Sequence, residues 1–168
     1  MFNEVLRAYV DVLVVRQVEA STTIGSHVLK KGEMVMAPSW LSHRNPEYFA
    51  KPDAFDPARF LVEDKETGKL KFSTSSLKGK LFPFGGGHYM CPGRTFAKQE
   101  VLGAIAVLLL NFDVEFVEFV KPEGKGKGFK SAGTDAKAFP KLKDGYSGNV
   151  VVGLNGDMKV GLRRKDKA

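Results

Sequence analysis

Phe82-Pro83-Phe84-Gly85-Gly86-Gly87-His88-Tyr89-Met90-Cys91-Pro92-Gly93-Arg94 places three consecutive glycines shortly before the only cysteine of the chain. Glycine accepts backbone conformations closed to other residues, so this stretch can bring main chain against something flat or bulky without intervening side chains. Pro92 suits a first helical turn, and the pattern predicts a mostly buried helix from there to about Leu110, with apolar Phe96, Ala97, Val101, Leu102, Ile105, Leu108 and Leu109. A sulfur at a helix entry lies near backbone N–H groups and the positive end of the helix dipole, which favour thiolate over thiol. Cys91 is therefore a candidate soft metal ligand; the plainer alternative is a buried, inert core cysteine. Other glycine-rich readings fail on spacing. A phosphate-cradling loop needs four residues between its glycines and then Lys-Ser/Thr, whereas Gly87 and Gly93 enclose a longer run and Arg94-Thr95 follow. His88 and Cys91 could supply half of a zinc site, but a closed site wants four ligands, and His27 and His43 are scattered.

Working outward, the bulk composition restricts little. A chain of 168 residues, 43% hydrophobic, can form one ordinary domain that buries roughly two-thirds of its unfolded surface. Most of its 13 Phe lie between Phe49 and Phe119, where a packed interior is expected. One cysteine excludes an intramolecular disulfide framework and suits a reducing, intracellular compartment. The longest apolar run, Val101 to Leu110, is far short of the ~20 residues that cross a bilayer, and Met1-Phe2-Asn3-Glu4 does not read as a signal peptide. The net charge of +7 is local: basic and acidic residues balance up to Val120, and the excess falls in residues 121–168. There Gly and Lys mix with little apolar period, which predicts an exposed basic loop over 121–143 rather than a nucleic-acid surface, since no aromatic residues interleave the charges.

The coarse element pattern is α+β. Residues 1–8 read as the end of a helix, with Glu4 and Arg7 on one face. Val12–Val18 is strand-like, and two further short strands flank Lys30-Lys31-Gly32, the last ending in Met34-Val35-Met36, to make a small β-sheet. Ser42–Lys80 shows neither helical nor strand period, an unusually long irregular stretch for a compact domain. After the helix that follows Cys91, strands are expected at Phe112–Phe119 and Val150–Val160, the second segment turning at Asn155-Gly156 as a hairpin.

Phe84-x-x-Gly87-x-x-x-Cys91-x-Gly93, extended by Ala97-x-x-Glu100, resembles the haem-binding signature of the cytochrome P-450 family. Two further segments fall in the matching order. Glu4-Val5-Leu6-Arg7 resembles the family's Glu-x-x-Arg helix, and Phe55-Asp56-Pro57-Ala58-Arg59-Phe60 its Pro-x-Arg-Phe segment. The resemblance spans essentially the whole chain and is nearest to eukaryotic microsomal members. It implies an α+β fragment of a mainly α fold: the end of the Glu-x-x-Arg helix, a small β-sheet, an irregular meander, the Cys-ligand loop, a long C-terminal helix and terminal strands, all within one C-terminal haem-binding part over 1–168.

What the resemblance implies about chemistry is specific. Cys91 would be the axial thiolate ligand of the iron of haem b, where electron donation by sulfur favours O–O cleavage. Phe84 would pack near the sulfur, and Gly85, Gly87 and Gly93 would leave room for backbone N–H groups to hydrogen-bond to it. Arg16 would meet a haem propionate. Many members carry Arg or His two residues before the cysteine; Tyr89 stands there instead, so His88 or Arg16 would balance that carboxylate. Glu4, Arg7 and Arg59 would form the triad that locks the meander onto the core. For the full-length protein the implied activity is a haem-thiolate monooxygenase that draws electrons from an NADPH-cytochrome P-450 reductase and inserts one oxygen atom into a lipophilic substrate, on the cytosolic face of the endoplasmic reticulum membrane. A membrane anchor and a central helix with an acid–Thr pair would precede residue 1, and this chain holds neither. The competing class is a truncated, non-catalytic remnant with weak or no haem binding.

Overall fold

The structure is a computed structural model that describes residues 1–124, 128–142 and 153–166. These divide into two compact units, Met1–Cys91 and the described residues from Pro92 onward.

The first unit begins with helix α1, Phe2–Tyr9, which buries Glu4, Arg7 and Ala8 on one face and ends where Val10 turns extended. Strand β1, Leu13–Gln17, follows, then β2, Thr22–Ile24, and β3, His27–Leu29. Gly25, at positive φ, makes the tight turn that pairs β2 with β3. Strand β4, Met34–Pro38, returns antiparallel to β1 with Arg16 opposite Val35. The expected small sheet is thus two separate ribbons, β1–β4 and β2–β3.

Pro38 leads directly into helix α2, Ser39–His43. Its entry is stitched to the start of β1: Ser39 Oγ accepts the Val12 N–H at 2.8 Å, and Asp11 Oδ1 accepts the Trp40 N–H at 3.2 Å. Both polar side chains are buried. The stretch read as irregular is less so in the structure. Strands β5, Leu61–Glu63, and β6, Leu70–Phe72, form a short hairpin whose turn is held by Asp64, which accepts the Glu66 and Thr67 N–H groups and pairs with Lys71. An Asx-type turn between two three-residue strands leaves no period long enough to see in sequence. The interior of this unit is as ionic as it is apolar: Ala8, Val18, Phe49 and Phe60 share it with Glu4, Arg7, Asp11, Ser39 and His43.

In the second unit, helix α3 runs Arg94–Asn111 with Gly93 as its N-cap, so Pro92 stands before the helix rather than in its first turn. The expectation that this helix is mostly buried is not met; none of its residues is buried, and Leu110 is 75% exposed. Val101–Leu110 is apolar on every side, the pattern of a helix enclosed by protein, yet within this chain those side chains stay open. Strand β7, Phe112–Pro122, follows without a break and is the centre of a three-stranded antiparallel sheet between β8, Phe129–Gly133, and β9, Asp157–Arg164. Phe119 is buried there against the rings of Phe116 and Phe139.

The 121–143 segment is correspondingly not one loop. Lys121 and Pro122 belong to β7 and pair with Lys130 and Phe129 of β8, because alternate residues of both strands can join a ladder whatever their charge. Lys121, Lys130, Lys137 and Lys141 are exposed; Lys125–Lys127 and Lys143 lie outside the described residues. The hairpin expected at Asn155-Gly156 also differs. Leu154 bridges Leu142, and the chain then enters β9, which pairs with β7; Val150–Val152 lie outside the described residues. Gly156, at φ +144°, immediately precedes β9, and a Cβ there would come within 2.6 Å of the Val120 carbonyl oxygen. Among the described residues no helix is long and apolar enough to cross a membrane.

Candidate functional site

Cys91 closes a loop that starts at Phe82. Its backbone N–H donates to the Phe84 carbonyl at 2.9 Å, and the Gly85 N–H donates to the Phe82 carbonyl at 3.0 Å. Two left-handed glycines make so short a circuit possible, Gly85 at φ +74° and Gly87 at φ +69°. Their surroundings differ. Gly85 is buried, and a Cβ added there would rest 3.9 Å from Val14 Cγ2 of β1. At Gly86 and Gly87 an added Cβ would meet nothing within 4 Å. The loop thus leans on β1 through one glycine and presents the other two to open space. Phe84 is half-buried, and the Cys91 side chain is exposed. Gly93 falls in the second unit, where its carbonyl accepts the Ala97 N–H at 2.9 Å.

Arg16 is brought to this loop although it is distant in sequence. Its Nη2 reaches the Gly86 carbonyl at 3.3 Å, and its guanidinium lies 5.0 Å from the centre of the Tyr89 ring. The Tyr89 ring in turn meets the His88 ring edge-on at 5.5 Å. All three side chains are exposed. A cation thus stands over the position two residues before Cys91, supplied by β1 instead of by the loop itself. Among the described residues no group of three or more His, Cys, Asp or Glu side chains converges as a metal-binding set.

Glu4, Arg7 and Arg59 meet in the interior. Arg7 clasps the Glu4 carboxylate with both Nε and Nη2, each at 2.8 Å, and Arg59 Nε reaches both Glu4 oxygens at 3.0 Å. The Asp56 N–H donates to Glu4 Oε1 at 2.9 Å. Glu4 is wholly inaccessible and Arg7 is 1% exposed. Two cations on one anion leave an excess charge, and backbone carbonyls take it up: Arg7 donates to those of His43, Pro52 and Ala54, and Arg59 to those of Ala50, Lys51 and Ala54. The network therefore pins residues 50–56 and His43 to α1. Burial acts to raise the Glu4 pKa, but the Arg7, Asp56 and Arg59 hydrogen bonds outweigh it and hold the carboxyl below its ordinary value.

His43, read from sequence only as a scattered histidine, belongs to this interior. It is wholly inaccessible, its Nε2 accepts the Phe82 N–H at 3.0 Å, and its ring packs against those of Phe82 and Phe49. Burial, then the positive charge of Arg7, push its pKa down to about 4, against smaller upward effects from the backbone of Arg7 and Val10, with Arg44 lowering it further. The sequence signal was faint: Ser42-His43-Arg44 sits among polar residues with no period to mark it as interior.

A depressed histidine pKa means that the unfolded chain binds a proton that the folded chain refuses. Stability from this group is complete above its ordinary pKa of 6.5 and is lost as pH falls from there toward about 4, a change of roughly 3 kcal/mol at most. Urea midpoints measured between pH 7 and pH 4 should fall by less in His43→Gln than in the wild type. Equal pH dependence in the two would show that His43 titrates normally.

Residues 1–138 match the family model for cytochrome P450. Cytochrome P450 monooxygenase calL of Penicillium decumbens is 32% identical over 167 residues, which is 98% of this chain and 29% of that protein. Cytochrome P450 monooxygenase poxD of Penicillium oxalicum is 34% identical over 70% of this chain and 24% of its own length. Rabbit (Oryctolagus cuniculus) cytochrome P450 7A1 is 36% identical over 56% of this chain. The chain belongs to the cytochrome P450 family, and its small sheets and few helices are consistent with a partial fold of that family. It spans less than a third of the length of the curated relatives it matches.

Proposed function

We propose that this chain is the thiolate-bearing C-terminal part of a monooxygenase, with Cys91 as the axial ligand of the iron of haem b. The observation that carries this reading is the exposed Cys91 side chain on a loop closed by its own N–H to the Phe84 carbonyl, beside two glycines that face open space. Gly86 and Gly87 themselves carry no side chain to hold a flat group away from the main chain. Arg16 supplies the cation for a haem carboxylate, with Tyr89 and His88 beside it, which compensates for the neutral residue two positions before the cysteine. In this reading Phe84 would shield the sulfur from water, and Gly85, Gly87 and Gly93 would leave room for backbone N–H groups to approach it. When bound, haem supplies the chemistry by which one oxygen atom from O2 enters an organic substrate, and thiolate ligation favours O–O cleavage. For the whole protein we propose a lipophilic substrate, electrons from an NADPH-cytochrome P-450 reductase, and a place on the cytosolic face of the endoplasmic reticulum membrane. The test is the reduced, carbon-monoxide-treated spectrum of the complete natural polypeptide. A red-shifted Soret band is expected; its absence in a haem-loaded sample would refute thiolate ligation.

A narrower statement concerns the 168 residues by themselves, whose Cys91 loop can cover only one face of a flat, apolar group. An apolar disc covered on one face only forgoes burial worth about 25 cal/mol per Å² on the other, and water at an open site diverts reduced oxygen from substrate. The isolated chain, reconstituted with haem, reductase and NADPH, is expected to yield no oxygenated product across a panel of lipophilic compounds. Turnover at rates ordinary for enzymes would overturn this and show that the chain closes its own site; no turnover, with haem retained only weakly, is the behaviour of a non-catalytic remnant.

A further inference from the structure

We propose that His43 is a positioning residue for the Cys91 loop: its neutral imidazole accepts the Phe82 N–H and so fixes where the loop begins, while its backbone carbonyl ties the same point to Arg7. Two bonds at one residue carry the inference. His43 Nε2 accepts from Phe82 N at 3.0 Å, and the His43 carbonyl accepts from Arg7 Nη1 at 2.9 Å. The preceding residue adds a third, since Ser42 Oγ donates to the Lys80 carbonyl at 2.7 Å. Residues 80–82 are thereby anchored to the end of α2 just before the loop, and the Phe82 ring is stacked edge-on to the imidazole at 5.4 Å. From Phe82 the path to the sulfur is short: its carbonyl takes the Gly85 N–H, and the Phe84 carbonyl takes the Cys91 N–H.

Chemistry dictates the protonation state. A backbone N–H can only donate, so Nε2 must be the bare nitrogen and the ring proton must sit on Nδ1. Among the described residues Nδ1 has no hydrogen-bond partner of good geometry, so the well-formed hydrogen bond of the ring is the one to Phe82. A second proton on the ring would turn that acceptor into a donor facing a donor. Charge around the ring opposes this, because Arg7 from α1 and Arg44 from the end of α2 both act on it as cations. An apolar side chain of similar size would fill the space between Phe49 and Phe82 yet leave the part-buried Phe82 N–H without this acceptor.

This inference bears on the Cys91 reading but does not need haem to be tested. In the complete natural polypeptide, amide exchange and the His43 nitrogen resonances are read alongside the reduced carbon-monoxide spectrum. The wild type should show Nδ1 protonated, Nε2 bare, and a coupling across the hydrogen bond from the Phe82 amide. His43→Leu should speed exchange at Phe82 roughly tenfold, with the Asp56 and β1–β4 amides unchanged, and weaken the red-shifted Soret band. His43→Gln, which offers an acceptor oxygen near the position of Nε2, should restore both. A wild-type ring protonated at Nε2 overturns the proposal even if the Leu variant fails to fold. So does a folded Leu variant with Phe82 as protected as before, or a Gln variant no better than Leu. Normal exchange effects with no thiolate band in any of the proteins would leave His43 in place and remove the Cys91 reading instead.

Discussion

Cys91→Ser in the complete natural polypeptide is expected to abolish the red-shifted Soret band of the reduced carbon-monoxide complex while leaving the fold intact. The two halves of this expectation have separate causes. The loop is held by main-chain atoms, the Cys91 N–H to the Phe84 carbonyl and the Gly85 N–H to the Phe82 carbonyl, and serine keeps them all. The exposed side chain gives up little packing when sulfur becomes oxygen. What changes is the proposed ligand: a serine hydroxyl is far more basic than a thiol once deprotonated and far harder to ionise at neutral pH, so it offers no comparable soft anion. Circular dichroism and the urea midpoint should match the wild type within about 1 kcal/mol, while the band is lost. Survival of the band in the serine variant would show that sulfur is not the ligand. A chelator-sensitive metal with no haem spectrum would return His88 and Cys91 to the zinc alternative.

Glu4→Ala should be the most damaging single change to the first unit. Among the described residues Glu4 is the acid that pairs with both arginines, and it accepts from Arg7, Arg59 and the Asp56 N–H together. Alanine leaves Arg7 as a buried cation with carbonyls but no counter-charge, a loss of about 3–5 kcal/mol when one partner of a buried pair is removed. Such a loss is a large share of the stability of an ordinary domain. Because the same network holds residues 50–56 and the His43 carbonyl, the damage should reach the Cys91 loop and prevent stable haem incorporation. Glu4→Gln, which keeps an acceptor but not the charge, should fall between the two. Purified holoprotein yield and unfolding free energy are the measurements. A normal yield of folded, haem-loaded Glu4→Ala protein would mean that these charges do not hold the meander.

Some of this was legible residue by residue. The glycine run before Cys91 announced a loop of unusual backbone, because a positive φ at Gly85 and Gly87 is a local property that residue type discloses. The α1 face carrying Glu4 and Arg7 and the strands β1, β4 and β7 were visible through short-range period alone. By contrast, β5 and β6 are three residues each, below the length at which alternation can be told from chance, and the 121–143 region hid its strand ends behind lysines because charge says nothing about main-chain pairing.

The sequence by itself determined the chemistry on offer: one thiol, the glycines around it, and the Glu4, Arg7 and Arg59 charges with the spacings of the cytochrome P450 family. Tertiary structure alone decided where these groups meet and what they are worth. Arg59 reaches Glu4 across 55 positions and Arg16 reaches Gly86 across 70, distances over which no periodicity carries information. His43 shows the point most plainly, since nothing local marks it as interior, yet burial beside Arg7 keeps it neutral and so able to accept the Phe82 N–H. Helix α3 shows the reverse: its apolar sequence predicted burial, but burial needs a partner surface, and among these residues Val101–Leu110 remain exposed. Composition fixes what a side chain would gain by leaving water; only the assembled fold determines whether it can.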